Sequence, residues 1–221
     1  MDNITLSLSG ERDYFTQEAY KVLRTNLQFC GQDVKVIAVT SCDKNEGKTT
    51  VSLNLAKSLT ELGKSVLVID ADMRKSVMAG RHSNMKRVKG LSEILTGMVP
   101  LGQCLYATQH QNLHIIFSGK YPPNPVELLS SKYFRALVEK ARESYDYVIV
   151  DTPPLGYVID AAVVAPLCDG TVLVIGNRNT RLSTAREVVE QLNKSGSKIL
   201  GVVRNQIRQN SGVYGKKYGR Y

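Results

Sequence analysis

Val34-Lys35-Val36-Ile37-Ala38-Val39-Thr40 runs without a break into Ser41-Cys42-Asp43-Lys44-Asn45-Glu46-Gly47-Lys48-Thr49-Thr50. The first part reads as an apolar, β-branched strand. Beyond the loop, Val51, Leu55, Leu59 and Leu62 repeat at helical spacing. Strand, loop, Gly-Lys-Thr and helix in that order are what a phosphate-binding loop requires. Its backbone N–H groups and the helix N-terminus face the negative phosphates. Lys48 then reaches the outer phosphate oxygens and the Thr49 hydroxyl is a ligand for Mg²⁺. Cys42 stands four residues before Gly47, where the first glycine of the usual pattern would be.

Working outward, five more apolar runs recur: Ser65–Ile69, Leu113–Phe117, Tyr147–Val150, Thr171–Ile175 and Ile199–Val203. Their near-continuous hydrophobicity suits strands covered on both faces. Helical repeats alternate with them, at Leu129, Tyr133, Leu137 and Ala141 and again at Leu182, Ala185, Val189 and Leu192. An amphipathic segment, Phe15–Phe29, precedes the first run, with Ala19, Val22, Leu23 and Leu27 expected on one face. The alternation predicts one α/β domain of the P-loop kind, a mostly parallel central sheet with helices on both faces. That domain is expected over residues 1–206, with residues 207–221 as a flexible tail.

Two further runs end in carboxylates. Val66–Ile69 leads to Asp70-Ala71-Asp72-Met73-Arg74, and Tyr147–Val150 to Asp151-Thr152-Pro153-Pro154. Ligands gather at the carboxyl ends of parallel strands. Three carboxylates there, beside the phosphate loop, make a Mg²⁺–nucleotide site. Arg74 reads either as a phosphate contact or as a strand-end salt bridge.

The 221 residues carry 29 Lys and Arg against 20 Asp and Glu, a formal charge of +9. Six of the basic residues (Arg74, Lys75, Arg81, Lys86, Arg87, Lys89) fall in residues 73–90, and four (Arg208, Lys216, Lys217, Arg220) in 207–221, neither stretch holding an acid. Removing those ten leaves 19 basic against 20 acidic, so the body of the chain is neutral. No helix-turn-helix or base-stacking pattern accompanies the charge, so a specific nucleic-acid partner is not expected. No apolar run approaches the roughly 18–20 residues that span a bilayer. Met1-Asp2-Asn3 opens no signal pattern, and a cytoplasmic chain is expected. Cys30, Cys42, Cys104 and Cys168 are scattered and read as free thiols rather than zinc ligands.

Together these segments resemble the bacterial tyrosine kinases, P-loop kinases of capsule and exopolysaccharide production. The likeness is to the separate cytoplasmic kinase of the CapB/CpsD type. Glu46-Gly47-Lys48-Thr49 is similar to that family's Walker A loop, Ile69–Arg74 to its Walker A′ motif and Val148–Pro154 to its Walker B. Pro122–Leu129 resembles a further family segment, with Val126 where serine is common. Glu18-x-x-Lys21-x-x-Arg24 resembles a family Glu-x-x-Arg-x-x-Arg motif of ring-like self-association, Lys21 replacing the first arginine.

The resemblance implies ATP and Mg²⁺ as cofactors and assigns roles by position. Lys48 neutralises phosphate charge, Thr49, Asp72 and Asp151 hold the metal, and Asp70 orients or deprotonates the attacking tyrosine. Asp70 and Asp72 could exchange these roles. Asp43, Lys44, Asn45, Glu46, Gly47 and Thr50 complete the nucleotide loop, and Asn205 resembles a base-contacting asparagine of the wider ATPases. Three of the 11 tyrosines, Tyr214, Tyr218 and Tyr221, lie in the last eight residues among glycines, the composition of an accessible acceptor rather than a helix. The family parallel makes them phosphoacceptors between neighbouring subunits. It also implies a transmembrane activator of the polysaccharide co-polymerase type that recruits the chain to the inner membrane face. A cognate tyrosine phosphatase would complete the cycle.

The rival reading is a partitioning or positioning ATPase of the ParA/MinD kind. Those proteins carry a signature lysine five residues before the loop lysine; here that residue is Asp43, with Lys44 one place later.

Overall fold

The computed structural model describes residues 2–8, 13–85, 88–176 and 180–207. Eight strands form one sheet: β1 (Asp2–Ile4), β2 (Val36–Ser41), β3 (Val66–Asp70), β4 (Tyr106–Thr108), β5 (Leu113–Ile116), β6 (Tyr147–Asp151), β7 (Gly170–Gly176) and β8 (Ile199–Asn205). Their order across the sheet is β1-β4-β5-β3-β6-β2-β7-β8. Every neighbouring pair is parallel except the short β4–β5 pair, which is antiparallel. All six expected strands are present. β1 and β4, three residues each, carry too little pattern to stand out.

The long helices are α1 (Tyr14–Phe29), α2 (Lys48–Thr60), α6 (Lys132–Ser144) and α8 (Leu182–Lys194); the short ones are α3 (Met78–His82), α4 (Leu91–Leu95), α5 (Pro125–Ser130) and α7 (Asp160–Val164). Side chains alternate faces along each strand. Ile37, Val39, Val68, Ile115 and Ile149 therefore pack with Val51, Leu55 and Leu59 of α2. Val36, Ile69, Val148 and Val150 meet Phe134, Leu137 and Val138 of α6 on the other face. Leu173 with Val188 and Leu192 forms a smaller cluster under α8.

Four helices differ from the sequence expectation. Ala19 and Val22 of α1 face outward, Val22 being 58% exposed, while Tyr20, Leu23 and Leu27 turn inward against the α2 face. α2 ends at Thr60, which leaves Leu62 exposed. Tyr133 and Leu182 also lie outside, and the buried side chains of α6 and α8 are Phe134, Leu137, Val138 and Ala141, and Val188 and Leu192. For α1, α6 and α8 the physical reason is the same. The apolar arc of a helix is wider than one stripe of side chains, so its centre can lie a residue away from the most regular repeat.

The basic segment 73–90 is anchored rather than free. Met78 is fully buried, Leu6 bridges Ser83, and the Asn84 side chain accepts from Thr5 N at 3.1 Å. Lys75, Arg81 and Lys89 remain exposed. Lys86, Arg87 and the tail residues 208–221 lie outside the described residues. The four cysteines are free thiols, buried or half-buried. No helix among the described residues is long and apolar enough to cross a membrane.

Candidate active site: a phosphate loop and three strand-end aspartates

β2, β6 and β3 are adjacent, so the phosphate loop and both acidic strand ends open on one edge of the sheet. Asp70 and Asp151 are register partners on β3 and β6, and Val39 of β2 is the partner of Asp151. This parallel pairing, not any local bond, brings residues 81 and 112 positions apart into one site.

Gly47 adopts φ +87° as the cap of α2, a left-handed conformation suited to glycine. A Cβ there would also lie 2.1 Å from the Asn205 amide nitrogen. Asn45 is left-handed too, at φ +62°, in a position asparagine tolerates. From α2, the Thr49 hydroxyl donates to Asp151 Oδ2 at 2.6 Å and the Ser52 hydroxyl to Asp151 Oδ1 at 3.2 Å. Lys48 Nζ reaches Asp72 Oδ2 at 3.3 Å, and Lys75 N donates to Asp72 Oδ1 at 3.0 Å. Asp70 accepts from the Ser76 hydroxyl, from Asp72 N at 3.2 Å and from Ser118 N at 3.3 Å.

Asp70, Asp72 and Asp151 are all buried, with Lys48 as the cation among them. Burial, then the neighbouring Asp151 charge, pushes Asp70 up to about 7. Burial likewise raises Asp151 above the usual carboxylate range, against the opposing pull of Lys48 and the Thr49 hydroxyl. Burial pulls Lys48 down, but Asp151, Asp72 and Asp70 outweigh it and leave the ammonium raised. Three buried carboxylates against one lysine leave an excess of negative charge in hard oxygen donors, the chemistry that suits a divalent magnesium ion. Among the described residues no three His, Cys, Asp or Glu side chains form a complete metal cage. A metal here would therefore share its shell with nucleotide oxygens, as Mg²⁺ at phosphate sites commonly does.

Glu46 is the brace of the loop. Its buried carboxylate accepts from Asp43 N at 2.7 Å, from Gly176 N at 2.9 Å and from the Thr180 hydroxyl. Asn205 donates to the Glu46 carbonyl at 2.9 Å, and Gln206 to the Asn45 carbonyl at 2.7 Å. Asn205, expected to touch a base, here ties the end of β8 to the loop. Arg74 makes the salt bridge: its Nε donates to the buried Asp160 carboxylate at 2.9 and 3.2 Å.

Of the residues expected to self-associate, Glu18 and Lys21 form an exposed ion pair at 2.6 Å. Arg24 is turned inward, donating to the Ser58 carbonyl at 2.6 Å and to Glu61 at 3.3 Å at the end of α2. Thr50 sits in the first turn of α2, half-buried, and Lys44 and Asn45 are exposed on the loop. Ser52, Ser76 and Ser118 were not foreseen; serine is so common near turns that nothing in the chain singles them out. Tyr214, Tyr218 and Tyr221 lie outside the described residues.

The fold and this site define a P-loop nucleotide-binding α/β protein. The AAA domain family matches residues 34–199. The chain is 42% identical over 206 residues to the tyrosine-protein kinase CpsD of Streptococcus agalactiae, covering 93% of this chain and 90% of that protein. The crystal structure of the chimerical protein CapA2B2 superposes with a TM-score of 0.85 at 29% identity, covering 94% of each chain. The septum site-determining protein MinD complexed with Mg-ADP, from Pyrococcus horikoshii, gives 0.62 at 26% identity, covering 76% of this chain and 68% of that one. The chain thus belongs to the CpsD-type bacterial tyrosine kinases within the AAA domain class, and is a tyrosine-protein kinase.

Proposed function

We propose that this kinase transfers the γ-phosphoryl group of ATP to the tyrosines of its own C-terminal cluster, between neighbouring subunits, and thereby regulates capsular or exopolysaccharide synthesis and export. The observation that carries this reading is the convergence of Lys48, Thr49, Asp70, Asp72 and Asp151 on one edge of the sheet. Mg²⁺ would neutralise phosphate charge there, held by Thr49, Asp72 and Asp151. Lys48 binds the outer phosphates, and the loop amides from Asp43 to Thr50 hold the remainder. Asp70, raised to about 7, accepts the proton of the attacking hydroxyl at a pH where a free tyrosine near 10 is barely ionised. The tyrosine oxygen bonds to the γ-phosphorus as the bond to the bridging oxygen breaks, and ADP leaves.

The tail's four basic and no acidic residues suit an acidic, metal-lined site on a neighbour. Each phosphate adds roughly −1.5 to −2 charges, so three would reverse the tail's sign and loosen the assembly. Glu18, Lys21 and the outward face of α1 are the surface proposed for ring-like self-association, with Arg24 holding α1 to α2. A CapA-type transmembrane activator fits as the partner, as the CapA2B2 chimera suggests, and would bring the chain to the inner face of the membrane. A tyrosine phosphatase would reset the tail.

Purified chain with ATP and Mg²⁺, alone and with the cytoplasmic peptide of a CapA-type activator, should yield phosphotyrosine. Lys48→Met should lower it by on the order of 100-fold or more, the usual cost of removing a transition-state charge partner. Phosphate release without phosphotyrosine would instead support an ATPase of the positioning kind.

A further inference from the structure

The turn after Walker B places one tyrosine against the phosphate loop. Leu155 N donates to the Ser41 carbonyl at 2.9 Å, and Tyr157 N closes the turn on the Pro154 carbonyl at 3.1 Å. Between them Gly156 packs so tightly that a Cβ would lie 2.2 Å from the Cys42 carbonyl oxygen. The backbone of this turn is thus held to the loop over Ser41–Cys42. Its next side chain, Tyr157, is 56% exposed. Lys44 Nζ lies 4.2 Å from the ring centroid. The neighbouring Asp43 carboxylate holds the proton on the phenol. Tyr14, Tyr121 and Tyr133 are as exposed, but Tyr14 and Tyr133 lie on the outer helices α1 and α6 and Tyr121 on the loop between β5 and α5.

We propose that Tyr157 is a second phosphoacceptor of this kinase, and that its phosphorylation weakens nucleotide binding at the loop it touches. The transfer balances as for the tail. Tyr157 Oη forms a bond to the γ-phosphorus of ATP, the bond from that phosphorus to the β,γ-bridging oxygen breaks, and ADP departs. The phenolic proton passes to the neighbouring Asp43 carboxylate, and from there to solvent. The product has a partner in place, since Lys44 stands over the ring and can pair with the phosphate. It also sets about −1.5 to −2 charges beside the amides that receive the nucleotide's own phosphates. Like-charge repulsion then opposes the next ATP. The tail carries the accumulating signal, whereas Tyr157 limits the rate at which it accumulates.

This inference rests on the tyrosine-kinase reading above, and the experiment separates the two. Full-length chain carrying Tyr214→Phe, Tyr218→Phe and Tyr221→Phe is incubated with Mg-ATP beside the wild type, and phosphopeptides are mapped by mass spectrometry. The expected result is phosphate on Tyr157 in the tail variant, absent when Tyr157→Phe is added. Tyr157→Phe keeps the ring beneath Lys44 and should melt with the parent, so loss of label reports the hydroxyl. Phosphorylated and phosphatase-treated samples are then titrated with a fluorescent ATP analogue. Modification should weaken binding on the order of tenfold, a usual size for coupling between two sites. A labelled wild-type tail with no phosphate on Tyr157 overturns this inference and leaves the kinase reading intact. Unchanged affinity on modification overturns its regulatory half, and no phosphotyrosine anywhere in the wild type overturns both.

Discussion

α2 and α1 lie on the same side of the sheet and are built on opposite terms. α2, which starts at Lys48, buries Thr49, Val51, Ser52, Leu53, Asn54, Leu55, Ala56, Ser58 and Leu59. α1, three residues longer, fully buries Leu27 alone and shows Phe15, Val22 and Phe29 to solvent, Phe29 at 82%. The strands repeat the contrast. Every residue of β2 is buried, while β8 at the sheet edge leaves Gly201 and Val202 exposed. Between α1 and β8 lies an open recess of about 660 Å³, lined in part by Phe15, Val22, Val202 and Ile207. The centre, which carries the site, is buried on both faces, and the flank leaves apolar surface exposed.

The largest stability effect should separate these two helices. Leu55→Ala in α2 should cost about 2–5 kcal/mol by chemical denaturation, the range for truncating a buried leucine. A cost below 1 kcal/mol would mean that the centre is far looser than its burial indicates.

Next in size is a pH effect from the buried acids. In the folded chain Asp70 titrates near 7, against 3.8 for an ordinary aspartate, so between those values the folded state holds a proton the unfolded state has released. Stability therefore falls as pH rises through that window. Asp70→Asn should match the wild type below pH 4 and be more stable above pH 7 by a few kcal/mol, measured without nucleotide or metal. Equal stability at pH 8 would contradict a buried charge at that position.

Gly156→Ala places a methyl against the Cys42 carbonyl and should destabilise by about 1–3 kcal/mol, as overpacking does. Weaker nucleotide binding should accompany it, because the displaced backbone adjoins the phosphate loop. The smallest effect belongs to the flank. Val22→Ala should change stability by less than about 0.5 kcal/mol. A larger loss would show α1 to be packed where the structure leaves it open.

The same contrast governs what could be read from the chain. The six longer strands and the phosphate loop were legible because burial on both faces forces continuous β-branched runs, and because Gly47, Lys48 and Thr49 admit few alternatives. The aspartates were legible as strand ends, yet their adjacency depends on the order β3-β6-β2, which local pattern does not encode. Of the apolar stripe expected on α1, Leu23 and Leu27 turn inward, while Ala19 and Val22 face out and Tyr20 packs in their place. Glu46 was expected in the nucleotide loop and Asn205 at a base, but their bracing of the loop depends on β7 and β8 arriving beside it. Ser76 and Ser118 gained their roles only when the β3 and β5 ends met.

The most direct test of the account mixes two variants. Lys48→Met carries an intact tail and no catalytic lysine. Tyr214→Phe, Tyr218→Phe and Tyr221→Phe in one chain keep the site and remove the tail acceptors. With Mg-ATP and the activator peptide, the account predicts phosphotyrosine on the tail of the Lys48→Met chain, rising with the concentration of the other. An unlabelled Lys48→Met tail, beside a wild type that labels its own, would contradict transfer from one subunit's strand-end site to its neighbour's tail.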